Sequence, residues 1–226
     1  MLSSDLKTAR AERHWTQQDM ARALGVSQTL VCLWERGTRP FSRSHLSRLS
    51  ELGIVVDSVS LPLRANADVT PVDFATELGN LGYPGFAHFR QGAPAWNPAQ
   101  LLVLALSEST LDRRVAEALP WLVLRYWKMN WDWVRREAKL RDVQNRLGFT
   151  LSLAQELAQK DSPEAARCLS AVEQGLRRSL LAMEDTYCND RMTQSERNWL
   201  RQESSKEAVS WNLLSDLRPE LLTHAV

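Results

Sequence analysis

The chain has 226 residues, of which 44% are apolar and 24% charged, and its 28 basic and 27 acidic side chains leave a net charge of +1. That composition excludes disorder throughout, and the near balance of charge gives no global attraction to nucleic acid, membrane or any polyanion, so an anion-binding site has to be local. The longest uninterrupted apolar run, Leu101 to Leu106, is far below the roughly 20 residues of a bilayer span, which excludes an integral membrane protein.

The first 30 residues are studded with Asp5, Lys7, Arg10, Glu12, Arg13 and Asp19 instead of a basic stretch followed by an apolar one, so a cytoplasmic protein is expected. Split by segment, residues 1–53 carry eight basic and five acidic side chains, residues 54–112 two and six, and residues 113–226 eighteen and sixteen. The neutral total is therefore a basic head cancelled by an acidic middle. Three regions follow: a basic head over 1–53, a connector over 54–96, and a larger helical region over 97–226.

In the head, Ser3 or Ser4 reads as the cap of a helix over Asp5 to Arg13, with Asp5 suited to its positive end. Thr16 caps a second helix, Gln17 to Leu24, and Asp19 at the third position completes a capping box. Gly25 closes it, because a residue without a Cβ enters the left-handed conformation cheaply. Ser27 caps a third helix to about Arg36, stopped by Gly37. A fourth is expected over Ser42 to Leu52, ended by Gly53.

The connector is mixed. Val55-Val56 and then Val59, Leu61 and Leu63 at alternating positions allow a short extended edge segment beside Pro62. Thr70-Pro71 reads as a cap and first turn of a short helix to Leu78, and Gly79 to Pro94 reads as loop.

Helical pattern then returns. Asn97-Pro98 opens a helix through Leu106, and another runs from Asp112 towards Lys128, restarted by Pro120. Leu140, Val143, Leu147, Leu151, Ala154 and Ala158 step by three and four residues, and Leu169, Val172, Leu176, Leu180, Met183 and Tyr187 repeat the pattern after Asp161-Ser162-Pro163. Two such stripes joined by a short turn predict a long antiparallel helical hairpin. The run Asp142 to Arg146 reads as a solvated face, and Thr193 to Glu196 as a capping box for a last helical region. The expected fold is all-α.

The second and third helices carry the functional signal. Met20, Ala21 and Leu24 face a core, the turn is only Gly25-Val26-Ser27, and Val31 and Trp34 face inward from the third helix. Gln28, Thr29, Cys32 and Leu33 are left on its exposed face. Two helices joined by so short a turn, with the second presenting its amino terminus, have the geometry of a helix-turn-helix whose second helix enters the major groove. The stretch Thr16 to Pro40, with its T-Q-x-x-x-A-x-x-x-G-V-S and W-E-R-G-x-R-P motifs, resembles the XRE/Cro family of repressors, with a lambda-repressor-like head. The resemblance covers Leu6 to about Gly53. It implies that Gln28 and Thr29 read base edges, with Cys32 and Leu33 the next contacts, and that Gln17 meets a phosphate. Chemically, glutamine pairs bidentately with adenine, whereas Cys32 and Leu33 are poor hydrogen-bond readers. Behind the motif, Arg36, Arg39, Arg43 and Arg48 stand without an acid among them, interleaved with Thr38, Ser42 and Ser44. With Ser27, these are the candidate phosphate ligands.

The partners expected are double-stranded DNA, a second copy of the chain and, as an alternative role, a cognate toxin neutralised by the carboxy-terminal region; that region weakly resembles regulators associated with toxin pairs. Trp121, Trp127, Trp131 and Trp133 are either core or a partner surface, with core favoured. No catalytic motif is found, so no enzyme and no cofactor are expected. Cys32, Cys168 and Cys188 lack paired metal spacing and read as free thiols, without a structural metal.

Overall fold

The structure is a computed structural model that describes residues 2–36, 38–39, 41–42, 44–45, 48–49, 52, 54, 58–63, 71–92 and 94–222. The chain divides into two units, residues 1–71 with 91–97 and residues 72–90 with 98–226. The stretch between head and helical region is thus shared, 72–90 packing within the larger unit.

The first unit is built from α1 (Leu2–Glu12), α2 (Gln17–Leu24) and α3 (Gln28–Glu35). Ser3 and Ser4 lie inside α1 rather than ahead of it. Thr16 accepts from the Asp19 amide while the Asp19 carboxylate accepts from the Thr16 amide, and Gly25 ends α2 at φ 63°. Residues 44, 45, 48 and 49 are helical, while Gly37, Arg43 and Gly53 lie outside the described residues. Leu6, Met20, Ala21, Leu24, Val31, Trp34, Phe41, Leu49 and Ile54 form one core. Trp34 is its centre, stacked on Phe41 at 4.7 Å and edge-on to His45 at 4.8 Å.

The alternating segment does not extend as expected. Residues 58–60 form a 3-10 turn, because the Asn97 amide donates to both the Val59 and Leu61 carbonyls and gathers them on one side. Leu61 is buried while Leu63 is exposed; Val55 and Val56 lie outside the described residues.

The second unit contains α4 (Phe74–Asn80), α5 (Pro98–Ser107), α6 (Arg113–Arg125), α7 (Trp131–Leu140), α8 (Gln144–Asp161), α9 (Pro163–Arg177), α10 (Gln194–Glu203) and α11 (Lys206–Ser210). Asp73 caps α4; Thr70 lies outside the described residues. The expected loop after Gly79 holds a kinked 3-10 turn over Pro84–Phe89, where buried Tyr83 and Phe86 pack edge-on. Helix α6 runs through Pro120 without restarting and stops at Arg125. Burial of Val115, Ala118, Leu119, Leu122 and Val123 offsets a cost of about 3 kcal/mol for an internal proline.

The two periodic stripes need trimming. Leu140 closes α7 and is exposed, since Asp142 at φ 55° breaks the chain direction before α8 begins. After Ser162, α9 carries Leu169, Val172 and Leu176 inward and ends, leaving Leu180 and Met183 exposed. Hydrogen bonds tie Asn145 to the Leu181 carbonyl beyond the end of α9, and both Ser152 and Gln155 to Glu173 on α9. Tyr187 is buried beyond a two-residue strand, β1 (Asp185–Thr186), which pairs in parallel with β2 (Leu213–Leu214).

The polar run on α8 is not a solvated face. Asn145 and Arg146 are buried. Arg146 donates bidentately to Asp185 at 2.7 and 2.9 Å, to Asp190 at 3.2 Å, and to the Leu106 and Glu108 carbonyls. A buried guanidinium is tolerable only with such saturation.

Candidate nucleic-acid interface

Helix α3 owes its orientation to local chemistry at its start. The Ser27 hydroxyl accepts from the Leu30 amide, fixing the first turn, and Gln28 and Thr29 project from it fully exposed. Cys32 and Leu33, one turn on, are half-buried. The outward face of α3 thus narrows to two fully exposed side chains at its amino terminus, the end that a helix-turn-helix directs towards base edges.

The far end of α3 is held by a carboxylate. Glu35 accepts from Arg10 Nε at 2.6 Å and from Gln17 Nε2 at 2.7 Å, while Arg10 also donates to the Trp15 carbonyl. One carboxylate therefore ties α1, α2 and α3 together. Burial acts to raise the Glu35 pKa, but the hydrogen bonds from Arg10 and Gln17 outweigh it and hold the carboxyl below its ordinary value. Gln17, expected at a phosphate, has one amide hydrogen committed to Glu35; its other hydrogen and its oxygen face no partner among the described residues.

Beyond α3, Arg36 and Arg39 are exposed. The Thr38 hydroxyl donates to the Leu33 carbonyl at 3.0 Å, so its lone pairs rather than its hydrogen remain available. Ser42 is half-buried and shares hydrogen bonds with Ser44 and with His45 Nδ1. Arg43 lies outside the described residues. Arg48, exposed, also serves the head itself: one guanidinium nitrogen donates to the Leu24 carbonyl at 2.7 Å, closing the carboxy-terminal end of α2 beside Gly25.

Two groups carry more than the sequence reading gave them, His45 not being singled out at all. Burial between Trp34 and its surroundings, then the charges of Arg48 and Arg39, push the His45 pKa down. Glu35 is the other, legible only as a partner for some arginine; which arginine, 25 residues away, is fixed by the packing of α1 on α3.

The tryptophans of the second unit divide. Trp121 is buried against Tyr83 at 5.2 Å between ring centres and serves the core. Trp127, Trp131 and Trp133 are half-buried, the Trp131 indole donating to the Trp127 carbonyl at 2.7 Å and the Lys128 ammonium lying 4.5 Å from the Trp127 ring. Cys32, Cys168 and Cys188 are free thiols. Burial pushes Cys188 up to about 12, which removes it as a nucleophile near neutrality.

Geometry and caps define a helix-turn-helix protein. Residues 6–52 match the family model described as Helix-turn-helix, and this segment is of the XRE/Cro type. The matched segment, and not the rest of the chain, supports DNA binding and transcription regulation of that type. No curated protein and no solved structure matches the chain. Among the described residues no helix is long and apolar enough to cross a membrane.

Proposed function

We propose that the chain is a homodimeric repressor of a palindromic operator, acting in the cytoplasm and without catalysis of its own. Gln28 and Thr29 read base edges, with Cys32 and Leu33 in apolar contact further along. Gln17, Ser27, Arg36, Arg39 and Ser42 meet the phosphates on either side, and Thr38 joins them by turning its hydroxyl hydrogen from the Leu33 carbonyl to a phosphate oxygen. The carrying observation is the exposed Gln28-Thr29 pair at the capped start of α3, backed by exposed Arg36 and Arg39. One eight-residue recognition helix covers little surface, so tight binding calls for two heads on two half-sites about one helical turn apart. The carboxy-terminal helices supply the dimer contact in this reading.

The test is fluorescence anisotropy on DNA from upstream of the protein's own gene, at low salt. A saturable complex with two chains per inverted repeat is expected, and no complex at micromolar protein refutes the proposal. Arg36→Ala and Arg39→Ala should each weaken binding to every sequence and lower the salt slope by about one per phosphate lost. A second small protein that co-purifies in fixed ratio, released when the operator binds, would instead assign the carboxy-terminal region to neutralising a cognate toxin.

A further inference from the structure

The second unit holds a pocket of about 120 Å³ that no DNA-facing residue explains. Beside the polar Asn189 and Ser215, its lining has an apolar part, the floor, made by Leu111, Ala116 of α6, Leu200 of α10 and Leu214 of β2. These four residues come from separate stretches of chain, and the backbone holds two of the stretches in place. Leu111 donates its amide to the Cys188 carbonyl at 2.8 Å, and β2 is paired residue by residue with β1. The pocket is therefore formed before any ligand arrives, as small-molecule sites generally are.

Three charged side chains line it: Arg113, Glu117 and Asp216. Arg113 Nε donates to Glu117 at 2.9 Å, one helical turn along α6, whereas its other nitrogen stands 3.6 Å from Asp216. Arg113 is shared between the two carboxylates, hydrogen-bonded to Glu117 and more loosely paired with Asp216. One arginine between two carboxylates leaves the lining with one net negative charge, and the longer pairing leaves Asp216 the carboxylate better able to take a second cation. A monoanion is repelled there; a neutral molecule gains nothing from the charge. An ammonium group neutralises it without displacing Arg113 from Glu117.

Size narrows the rest of the ligand. An apolar cavity of about 150 Å³ accepts benzene, so 120 Å³ suits an apolar body of about four or five carbons. We propose that this pocket binds a small organic ammonium ion, its charge on Asp216 and its apolar body on the floor formed by Leu111, Ala116, Leu200 and Leu214.

The experiment is isothermal calorimetry on the full chain at pH 7 without DNA, using isopentylamine as probe and isovalerate and isopentanol as matched anionic and neutral controls. Saturable binding of the amine in the millimolar range or tighter is expected, with both controls at least about tenfold weaker, the discrimination that a charge-assisted contact provides. Asp216→Asn should weaken the amine about tenfold or more. Arg113→Gln makes the lining more negative and should leave binding unchanged or tighter. Both positions are substantially exposed, at 36% and 68%, and circular dichroism checks that each variant folds. Absence of amine binding at millimolar concentration, equal binding of either control, or an Asp216→Asn variant that binds as well as the parent overturns the proposal. The measurement contains no DNA, so its failure leaves the operator reading standing.

Discussion

Gln28 is the exposed side chain of α3 that can present a separate donor and acceptor side by side to one base edge, since Thr29 carries both functions on a single hydroxyl oxygen and the next residues on that face, Cys32 and Leu33, are half-buried. Base reading by this head is accordingly concentrated in one amide. Gln28→Ala should cost roughly 1–3 kcal/mol at one or two operator positions and little elsewhere, measured by anisotropy on single-base operator variants. An equal loss on every sequence would make Gln28 a phosphate ligand. The residues that set up this arrangement were largely visible in the sequence because their chemistry is local: Thr16 with Asp19, Gly25 and Ser27 act within three residues of themselves. Arg48 makes a contact within the head that was hidden for the opposite reason. Its neighbours in sequence are phosphate-type side chains, but its partner is the Leu24 carbonyl, 24 residues back, and nothing in spacing reveals that.

At the scale of elements, the same distinction separates what periodicity reveals from what it hides. The apolar steps from Val143 to Ala158 and from Leu169 to Leu176 locate the buried faces of α8 and α9, as read. They are silent about Gly148, which sits on α8 because a Cβ there would meet the Trp211 ring at 2.4 Å. Trp211 is fully buried, donates from its indole to Ser152 at 2.9 Å, and lies under the Arg177 guanidinium at 4.2 Å, so the ring is held from several sides. Gly148→Ala gains up to about 1 kcal/mol in helix propensity but overpacks a fixed ring, at a cost of roughly 1–3 kcal/mol or more. We expect a net loss of stability in urea, with far-ultraviolet circular dichroism unchanged at zero denaturant. A stabilised variant would mean that the ring moves freely. Asn145 and Arg146 escaped the sequence reading because three adjacent polar residues look solvated until partners at Leu181, Asp185 and Asp190 are brought beside them.

For the whole molecule, the titrating groups are unevenly placed between the two units. In the first, Glu35 is held below the ordinary carboxylate value, against burial, by Arg10 and Gln17, and Asp19 is lowered chiefly by the Thr16 hydroxyl but at an exposed cap where solvent screens it. Their stabilisation is complete above the ordinary value and is lost as pH falls through the lowered one. His45 acts in the same direction: burial depresses it, so the fold favours its neutral form and loses stability as pH drops below the ordinary histidine value towards the depressed one. In the second unit, Asp73, Glu184 and Glu196 are also lowered, but at exposed caps and pairs where solvent screens them. Glu156 has the opposite sign, because burial and then the adjacent Glu207 carboxyl raise it. Its contribution is therefore present in acid and lost as pH rises. The head should consequently be the acid-labile unit, with Glu35 at the junction of its three helices as the decisive group. Hydrogen exchange between pH 7 and about 3, a range that reaches below the ordinary carboxylate value, should, corrected for intrinsic rates, show protection in residues 17–35 falling before that in residues 144–161. Glu35→Gln should flatten the decline in the head while lowering its protection at neutral pH, since Arg10 then lacks an opposite charge. Simultaneous loss in both units, or earlier loss in α8, would show that the Glu35 junction does not govern the acid response.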